Sequence, residues 1–302
     1  MKGTLTASSP SPDHKAVVRQ EFTQQAYAAS PLIANPDRLA ALVQAVQPQP
    51  GTRVLDVATG PGYVAAAFAE AGCEVVGLDL TPAPLTIAEQ MRAARGLTNL
   101  RFQLGDAEHL PFAEQTFDIV VSRYALHHCE DPQRVLTEMA RVCHLQGTVV
   151  IQDLIVSELS ARAAYQNRFE QLRDTSHTRA LPISEFLALF TACGLEVEQV
   201  ITDRLTQTLE AWLANAHTSP ERAVQVRMIE LKRQRRNKTL PNRWHLATHP
   251  YPYPLRLASL LTLRLIPPVE REETDSHLTA IVPAPPAGFC EEIRLKTVSS
   301  SN

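Results

Sequence analysis

The chain has 302 residues, a formal net charge of −3 and 44% hydrophobic side chains. That is enough apolar material for one large domain or for one domain with an appendage, and it provides no broad basic field for nucleic acid. No run of about 18 apolar residues occurs, which excludes a helical membrane span; the five cysteines form no Cys-x-x-Cys pair, which argues against a zinc knuckle or a disulfide framework.

Residues 1–12 are small, polar and proline-containing, without the apolar stretch of a signal peptide. They read as disordered, and a cytoplasmic location follows as the default. Asp13 is placed to cap a helix running to about Ala29, with Val17, Val18, Phe22 and Tyr27 near one face. Asp37 is placed to cap a second helix, Arg38 to Val46, which the proline-rich stretch 47–51 stops. Strands and helices then alternate, with strands predicted at 53–57, 74–79, 100–104, 117–122 and 148–154 and helices at 62–71, 82–95 and 132–144. Repeated β-α-β units with apolar strands predict an α/β fold, a doubly wound and mostly parallel sheet covered by helices on both faces. After Asp153 come a helical stretch at 157–173, a helix from Pro182 to Cys193 closed by Gly194, an alternating strand Leu195–Ile201, and helices at about 207–216 and 220–234. The insertion 155–181 leaves the sheet near its carboxyl edge, where a lid over a ligand would form. From Asn237 onward prolines interrupt the chain, and the apolar run Leu255–Ile266, with Arg256 and Arg264 inside it, has a period ambiguous between a buried helix and a strand.

The chemistry concentrates at the strand ends. Val54-Leu55-Asp56-Val57-Ala58-Thr59-Gly60-Pro61-Gly62 is an apolar strand closing on an acid, followed by a glycine turn and an alanine-rich helix. Gly60 and Gly62 lack a Cβ, so the backbone turns sharply and a ligand can lie against it. Asp79 ends the second strand, where a carboxylate accepts both hydroxyls of a ribose. Asp106 ends the third, with Ala107 beside it; an acceptor there suits the amino group of an adenine. Each of these aspartates has a competing role as helix cap or turn former.

These segments resemble the class I S-adenosylmethionine-dependent methyltransferases, within them the ubiquinone/menaquinone-biosynthesis-type group. Residues 55–62, Gly77-Leu78-Asp79, residues 105–112, residues 117–122 with Leu126-His127-His128, and Glu138-Met139-Ala140-Arg141-Val142 carry the resemblance, which spans roughly residues 15 to 200. It implies a Rossmann-like methyltransferase fold and S-adenosylmethionine as cofactor. It also implies that Asp56, Ala58 and Gly60 lie against the methionine part, Asp79 on the ribose, Leu80 on the adenine face, Asp106 and Ala107 at the adenine edge, and Arg123 near the methionine moiety. Ala58 stands where many members carry glycine. Phe22 and Tyr27 resemble a cover over the cofactor, with Tyr27 placed toward the substrate. The implied organisation is a disordered 1–12, a methyltransferase domain at 13–236 (cofactor half 13–154, lid and substrate part 155–236), and an atypical, irregular proline-rich tail at 237–302. Members usually close the sheet with an antiparallel strand, for which residues 278–282 are the best candidate.

The expected reaction is in-line methyl transfer to a small-molecule acceptor, without metal, nucleic acid or membrane. A base is needed only where the acceptor loses a proton; His127 and His128 after the fourth strand are the candidates, with packing as the competing role of each. Asp153, at the end of the fifth strand, is a substrate-facing candidate or a turn residue. Two alternatives stand beside this reading. Gly60 to Ala65 also fits G-x-G-x-x-A, and Asp79 would serve NAD, so a nicotinamide-dependent oxidoreductase is one. Against it, the Asp56 carboxylate suits the cationic ammonium of S-adenosylmethionine better than a pyrophosphate. The other is a protein that binds the cofactor without catalysis, which the abnormal tail leaves open.

Overall fold

The structure, a computed structural model, describes residues 12–24, 33–205, 208–239 and 255–265. Tyr27 and the segment 278–282 lie outside the described residues. In chain order the elements are α1 (Pro12–Gln24), α2 (Pro36–Val46), β1 (Arg53–Val57), α3 (Tyr63–Glu70), β2 (Glu74–Asp79), α4 (Pro82–Ala94), β3 (Leu100–Leu104), β4 (Phe117–Arg123), α5 (Pro132–Val142), β5 (Cys143–Val156), α6 (Ser160–Arg173), β6 (Leu181–Pro182), α7 (Ile183–Ala192), β7 (Leu195–Leu205), α8 (Leu209–Asn215), α9 (Pro220–Thr239) and β8 (Leu255–Leu265).

The sheet runs β3-β2-β1-β4-β5-β8-β7, with β6 paired to β5. The first five strands are parallel, and β8 is antiparallel to both β5 and β7. Strand order reverses between β1 and β4, so a crevice opens outside their carboxyl ends. Consecutive strand residues alternate between two buried clusters, one per face. Leu55, Val57, Leu78, Val120 and Ile151 join Leu136, Met139, Phe186 and Phe190 of α5 and α7. Val54, Val75, Val121 and Val150 join Leu39, Leu42, Val64 and Phe68 of α2 and α3. Because both faces are apolar, the strands read as nearly continuous hydrophobic runs.

Three differences from the sequence reading have local causes. Helix α2 is capped by Asn35, whose side chain accepts the Arg38 N–H at 3.0 Å, and not by Asp37; Pro36 takes the first helical position, where a missing N–H costs nothing. Helix α5 stops at Val142 because Cys143 is already extended and pairs with Phe117, so β5 begins five residues before the predicted strand. The run 255–265, left without structure in the sequence reading, is an interior strand. Its backbone is paired on both edges, Val150 to Thr262 on one side and Val200 to Leu261 on the other. No helix among the described residues is long and apolar enough to cross a membrane.

Candidate active site

The carboxyl ends of β1, β2 and β4 open into one cavity, and α1 lies across it. Asp56, Ala58, Gly60, Asp79, Leu80, Asp106, Ala107, Arg123 and His128 line this cavity together with residues of α1. Gly62 is not among the lining residues; it sits behind the turn, where a Cβ would come 2.6 Å from the Phe102 ring. His127 and Asp153 do not line the cavity either.

The turn after β1 is tied to its neighbour by the Thr59 N–H donating to Leu78 O at 2.9 Å. Ala58, Gly60 and Gly62 all have positive φ, of 58°, 53° and 79°. Glycine enters that region freely and alanine does so under strain. A Cβ at Gly60 would meet no heavy atom within 4 Å, so the turn presents open backbone to the cavity.

Asp56 is buried, and its Oδ2 accepts the Thr59 hydroxyl at 2.5 Å and the Ala65 N–H at 3.1 Å. Burial dominates over both bonds and pushes its carboxyl up to about 7. Asp79 accepts the Gly60 N–H and the Thr81 N–H, each at 2.8 Å, and burial raises its carboxyl as well. Asp106 differs. Burial alone would raise it, but the Lys15 ammonium at 2.6 Å and the Glu108 N–H hold its carboxyl below the usual value. Lys15 also reaches Glu108 at 2.6 Å, so one cation from α1 sits between the two carboxylates that, with His109, come nearest to a metal-ligand group among the described residues.

Arg123 is buried. Its Nε donates to Gln152 Oε1 at 2.6 Å and its Nη1 to Ile33 O at 2.8 Å, and the guanidinium covers the Tyr124 ring. Tyr124 lines the cavity with φ of 56°, a strained conformation at the switch point. Cys129 lines it too; burial followed by the nearby Asp153, Glu108 and Asp106 pushes its thiol far up, so it stays protonated.

Beneath the cavity, Asp153 is fully occupied in holding a loop. Its Oδ2 accepts the Leu126 N–H at 2.7 Å, and its Oδ1 accepts the Leu154 N–H at 2.6 Å and pairs with His127 Nδ1. Burial lowers the His127 ring and Asp153 more than offsets it, so the ring is raised. The Glu-x-x-Arg of α5 has a similar holding role. Glu138 accepts the Leu110 N–H at 2.9 Å, and Arg141 donates to Leu110 O and Phe112 O, which fixes the loop after Asp106.

Several residues escaped the sequence reading. Lys15 is one. Others are Ser176 and Asp174, in the insertion 155–181, which reach His128 from 48 and 46 residues away in sequence. Ser176 Oγ lies 3.0 Å from His128 Nδ1 and donates to Asp174 Oδ1 at 2.5 Å. The expectation of a lid at 155–181 was the available signal, but it named no side chain.

A parallel sheet in this order, with acidic strand ends around a glycine turn, is the architecture of the Rossmann-like methyltransferases. A family model described as a methyltransferase domain matches residues 48–213. The methyltransferase YcgJ of Bacillus subtilis is 31% identical over 195 residues, 65% of this chain and 77% of that one. The YcgJ crystal structure superposes with a TM-score of 0.64 at 27% identity, covering 75% of this chain and 95% of YcgJ. A protein from Bacillus halodurans superposes with a TM-score of 0.65 at 29% identity, covering 75% and 97%. Demethylmenaquinone methyltransferase of Renibacterium salmoninarum is 38% identical over 112 residues, 37% of this chain and 45% of that one. The chain belongs to the methyltransferase-domain family and is a class I S-adenosylmethionine-dependent methyltransferase with demethylmenaquinone methyltransferases among its relatives.

Proposed function

We propose that this enzyme methylates a small-molecule acceptor, with the cofactor laid along Asp56, Asp79 and Asp106. The observation that carries this reading is the placement of all three carboxylates, from three successive strand ends, on one cavity beside the open backbone of Gly60. When bound, S-adenosylmethionine supplies a methyl carbon already activated by its sulfonium. The donor set suits it: Asp56 faces a cationic ammonium, Asp79 two ribose hydroxyls, Asp106 and Ala107 the adenine edge, and Leu80 the adenine face, with Arg123 near the methionine end. Gly62 contributes by letting the turn pack on Phe102.

The roof argues for the size of the acceptor. Val18 and Phe22 of α1 line the cavity, while Lys15 pins the helix to Asp106 and Glu108 and His14 Nε2 donates to His128 O at 2.9 Å. An acceptor that reaches the methyl must pass under this helix, which suits a small molecule such as the one the Renibacterium relative is named for. Holding two reactants at attack distance in such a closed space is worth on the order of 7–11 kcal/mol in favourable cases. A nicotinamide cofactor gains no support from the family, and Asp56 beside a pyrophosphate would be repulsive.

Calorimetric titration with S-adenosylhomocysteine, with NADH in parallel, tests the reading. Micromolar binding of S-adenosylhomocysteine and none of NADH is expected, with a loss of about ten- to hundredfold in Asp79→Asn, since the ribose loses a charged acceptor. Wild-type affinity in Asp79→Asn would remove the assigned ribose site.

A further inference from the structure

Of the two histidines after β4, only His128 borders the cavity, and its ring is oriented from behind. Ser176 is fully buried, and its hydroxyl has a single hydrogen, given to Asp174 Oδ1 at 2.5 Å. Asp174 is buried and accepts the Ser176 N–H as well at 2.9 Å. Burial would raise its carboxyl, but Arg173 and the two Ser176 donors favour its ionised, acceptor-only form. With its hydrogen committed, Ser176 Oγ can only accept from His128, 3.0 Å away. The His128 proton is therefore on Nδ1, and the lone pair is on Nε2. Ser176 does not line the cavity, so Nδ1 points away from it and Nε2 is the nitrogen left for it; no hydrogen bond to Nε2 exists among the described residues.

Resting on the methyltransferase reading above, we propose that His128 Nε2 is the proton acceptor of the transfer, and that Ser176 and Asp174 are positioning residues that fix its tautomer. The acceptor class that needs this group carries a proton on its nucleophilic atom and becomes strongly acidic once methylated, as a hydroxyl does. The nucleophile's lone pair forms the new bond to the methyl carbon, and the carbon–sulfur bond breaks with its pair going to sulfur. The nucleophile's own proton passes to Nε2 while its bonding pair stays behind. The proton then leaves to water from the imidazolium.

Burial, then the adjacent His127, lowers the His128 ring well below the ordinary histidine value, so it stays unprotonated and ready at neutral pH. A weak base suffices here. Once the methyl has been added, the hydroxyl proton sits on a trivalent, positively charged oxygen and is strongly acidic, so transfer late in the step is downhill. The charged and titratable groups around the ring are His127 beside it, Asp153 of β5, Glu170 and Arg173 of α6, Asp174 and His177 after α6, and His14 and Lys15 of α1. The α1 helix and the insertion close on this ring together. Phe22 meets it edge-on with centroids 4.9 Å apart, and the Thr175 hydroxyl donates to Glu21.

The test is a long-range proton–nitrogen spectrum of the histidine-labelled full chain, with His128 assigned by its loss in His128→Gln. A neutral ring protonated on Nδ1, unchanged from about pH 5 to pH 8, is expected. A ring protonated on Nε2, or one that titrates near its ordinary value in that range, would overturn the proposal. In Ser176→Ala the ring is expected to gain the Nε2-protonated form while S-adenosylhomocysteine affinity stays within about threefold; an unchanged tautomer would remove Ser176 from the positioning role. Failure of the wild type to bind S-adenosylhomocysteine would instead sink the cofactor reading, which the tautomer measurement does not touch.

Discussion

Lys15 of α1 and Asp106 after β3 are joined at 2.6 Å, 91 residues apart in sequence, and the carboxylate so engaged is the one assigned to the adenine edge. The helix that roofs the cavity is thus fastened to the cavity's own floor. Replacing Lys15 by Met leaves Asp106 and Glu108 without the cation that bridges them. Partly exposed pairs are individually weak, about 0–1 kcal/mol, but this one is doubled and sits on a short helix whose other described anchors are His14, Phe22 and Glu21. Lys15→Met is expected to speed amide exchange in α1 about tenfold and to raise the dissociation rate of S-adenosylhomocysteine. Exchange mass spectrometry and stopped-flow release measure the two, and unchanged exchange in residues 12–24 would show that the latch does not hold the helix.

Asp56 gives a pH dependence of definite sign. Burial raises its carboxyl from 3.8 to about 7, so the folded protein binds that proton more tightly than the unfolded chain. Stability from this site is therefore full below 3.8 and is lost as pH rises to about 7, by about 4 kcal/mol at most. Asp56→Asn, which keeps an acceptor for Thr59 and Ala65, is expected to be more stable than the wild type at pH 8 and equal to it below pH 4. Ligand binding runs the other way. An ammonium placed on Asp56 favours its ionised form, so affinity for S-adenosylhomocysteine should weaken below pH 7 by up to about tenfold per pH unit. Denaturant melts and titrations across pH 5.5 to 8.5 check both halves; a flat affinity profile would separate Asp56 from the ammonium.

What the sequence showed and what it hid divide along one physical line. Asp56, Gly60 and Asp79 were legible because a strand, a tight turn and a helix are local patterns with fixed periods, and the acid falls at a set place within them. Asp106 was legible by the same rule, but Lys15 facing it was not, since nothing near Lys15 marks it as a partner for a loop 91 residues away. His128 was visible beside His127 as one of an undecided pair. The distinction came only from the insertion, whose Ser176 approaches one ring and whose Thr178 N–H caps the other residue's carbonyl at 2.9 Å. The helix cap was misplaced by two residues, because Asn35 and Asp37 are equally good cap formers and only the Arg38 N–H chooses between them. Strand β8 was hidden because the alternation of Leu255–Leu265 slips at Ser259-Leu260, where the pairing with both neighbours also shifts register, so neither half is long enough to identify a strand.

The turn after β1 predicts opposite effects from two small changes. Ala58 holds φ of 58°, which costs an alanine about 1–2 kcal/mol, so Ala58→Gly is expected to raise stability by about 0.5–1 kcal/mol once the cost of glycine's extra freedom in the unfolded chain, about 0.5–1 kcal/mol, is counted. Gly62 holds φ of 79° with the Phe102 ring 2.6 Å from where a Cβ would stand. Gly62→Ala combines backbone strain with overpacking, and a loss of about 2–4 kcal/mol is expected. Urea unfolding of the two variants beside the wild type reads both values; a stable Gly62→Ala would mean that the ring yields and the turn is looser than its geometry implies.

Strand β8 offers the last test. It lies between β5 and β7, and the described part of β7 has no other partner in the sheet order. Ending the chain at Thr239 removes it, leaving two long edges of unpaired N–H and C=O groups where an interior strand had satisfied both. The lost pairing runs from Thr148 to Ile155 on β5 and from Leu195 to Leu205 on β7, against a cofactor half whose strands β1 to β4 are untouched. The shortened chain should therefore melt at least about 10 °C lower and self-associate, by the ordinary size scaling of thermal shifts and the behaviour of open edges. Scanning calorimetry and light scattering on the full and shortened chains distinguish the outcomes. Coincident melting of the two as monomers would show that β8 contributes nothing to the sheet and that the enzyme's stable core ends with α9.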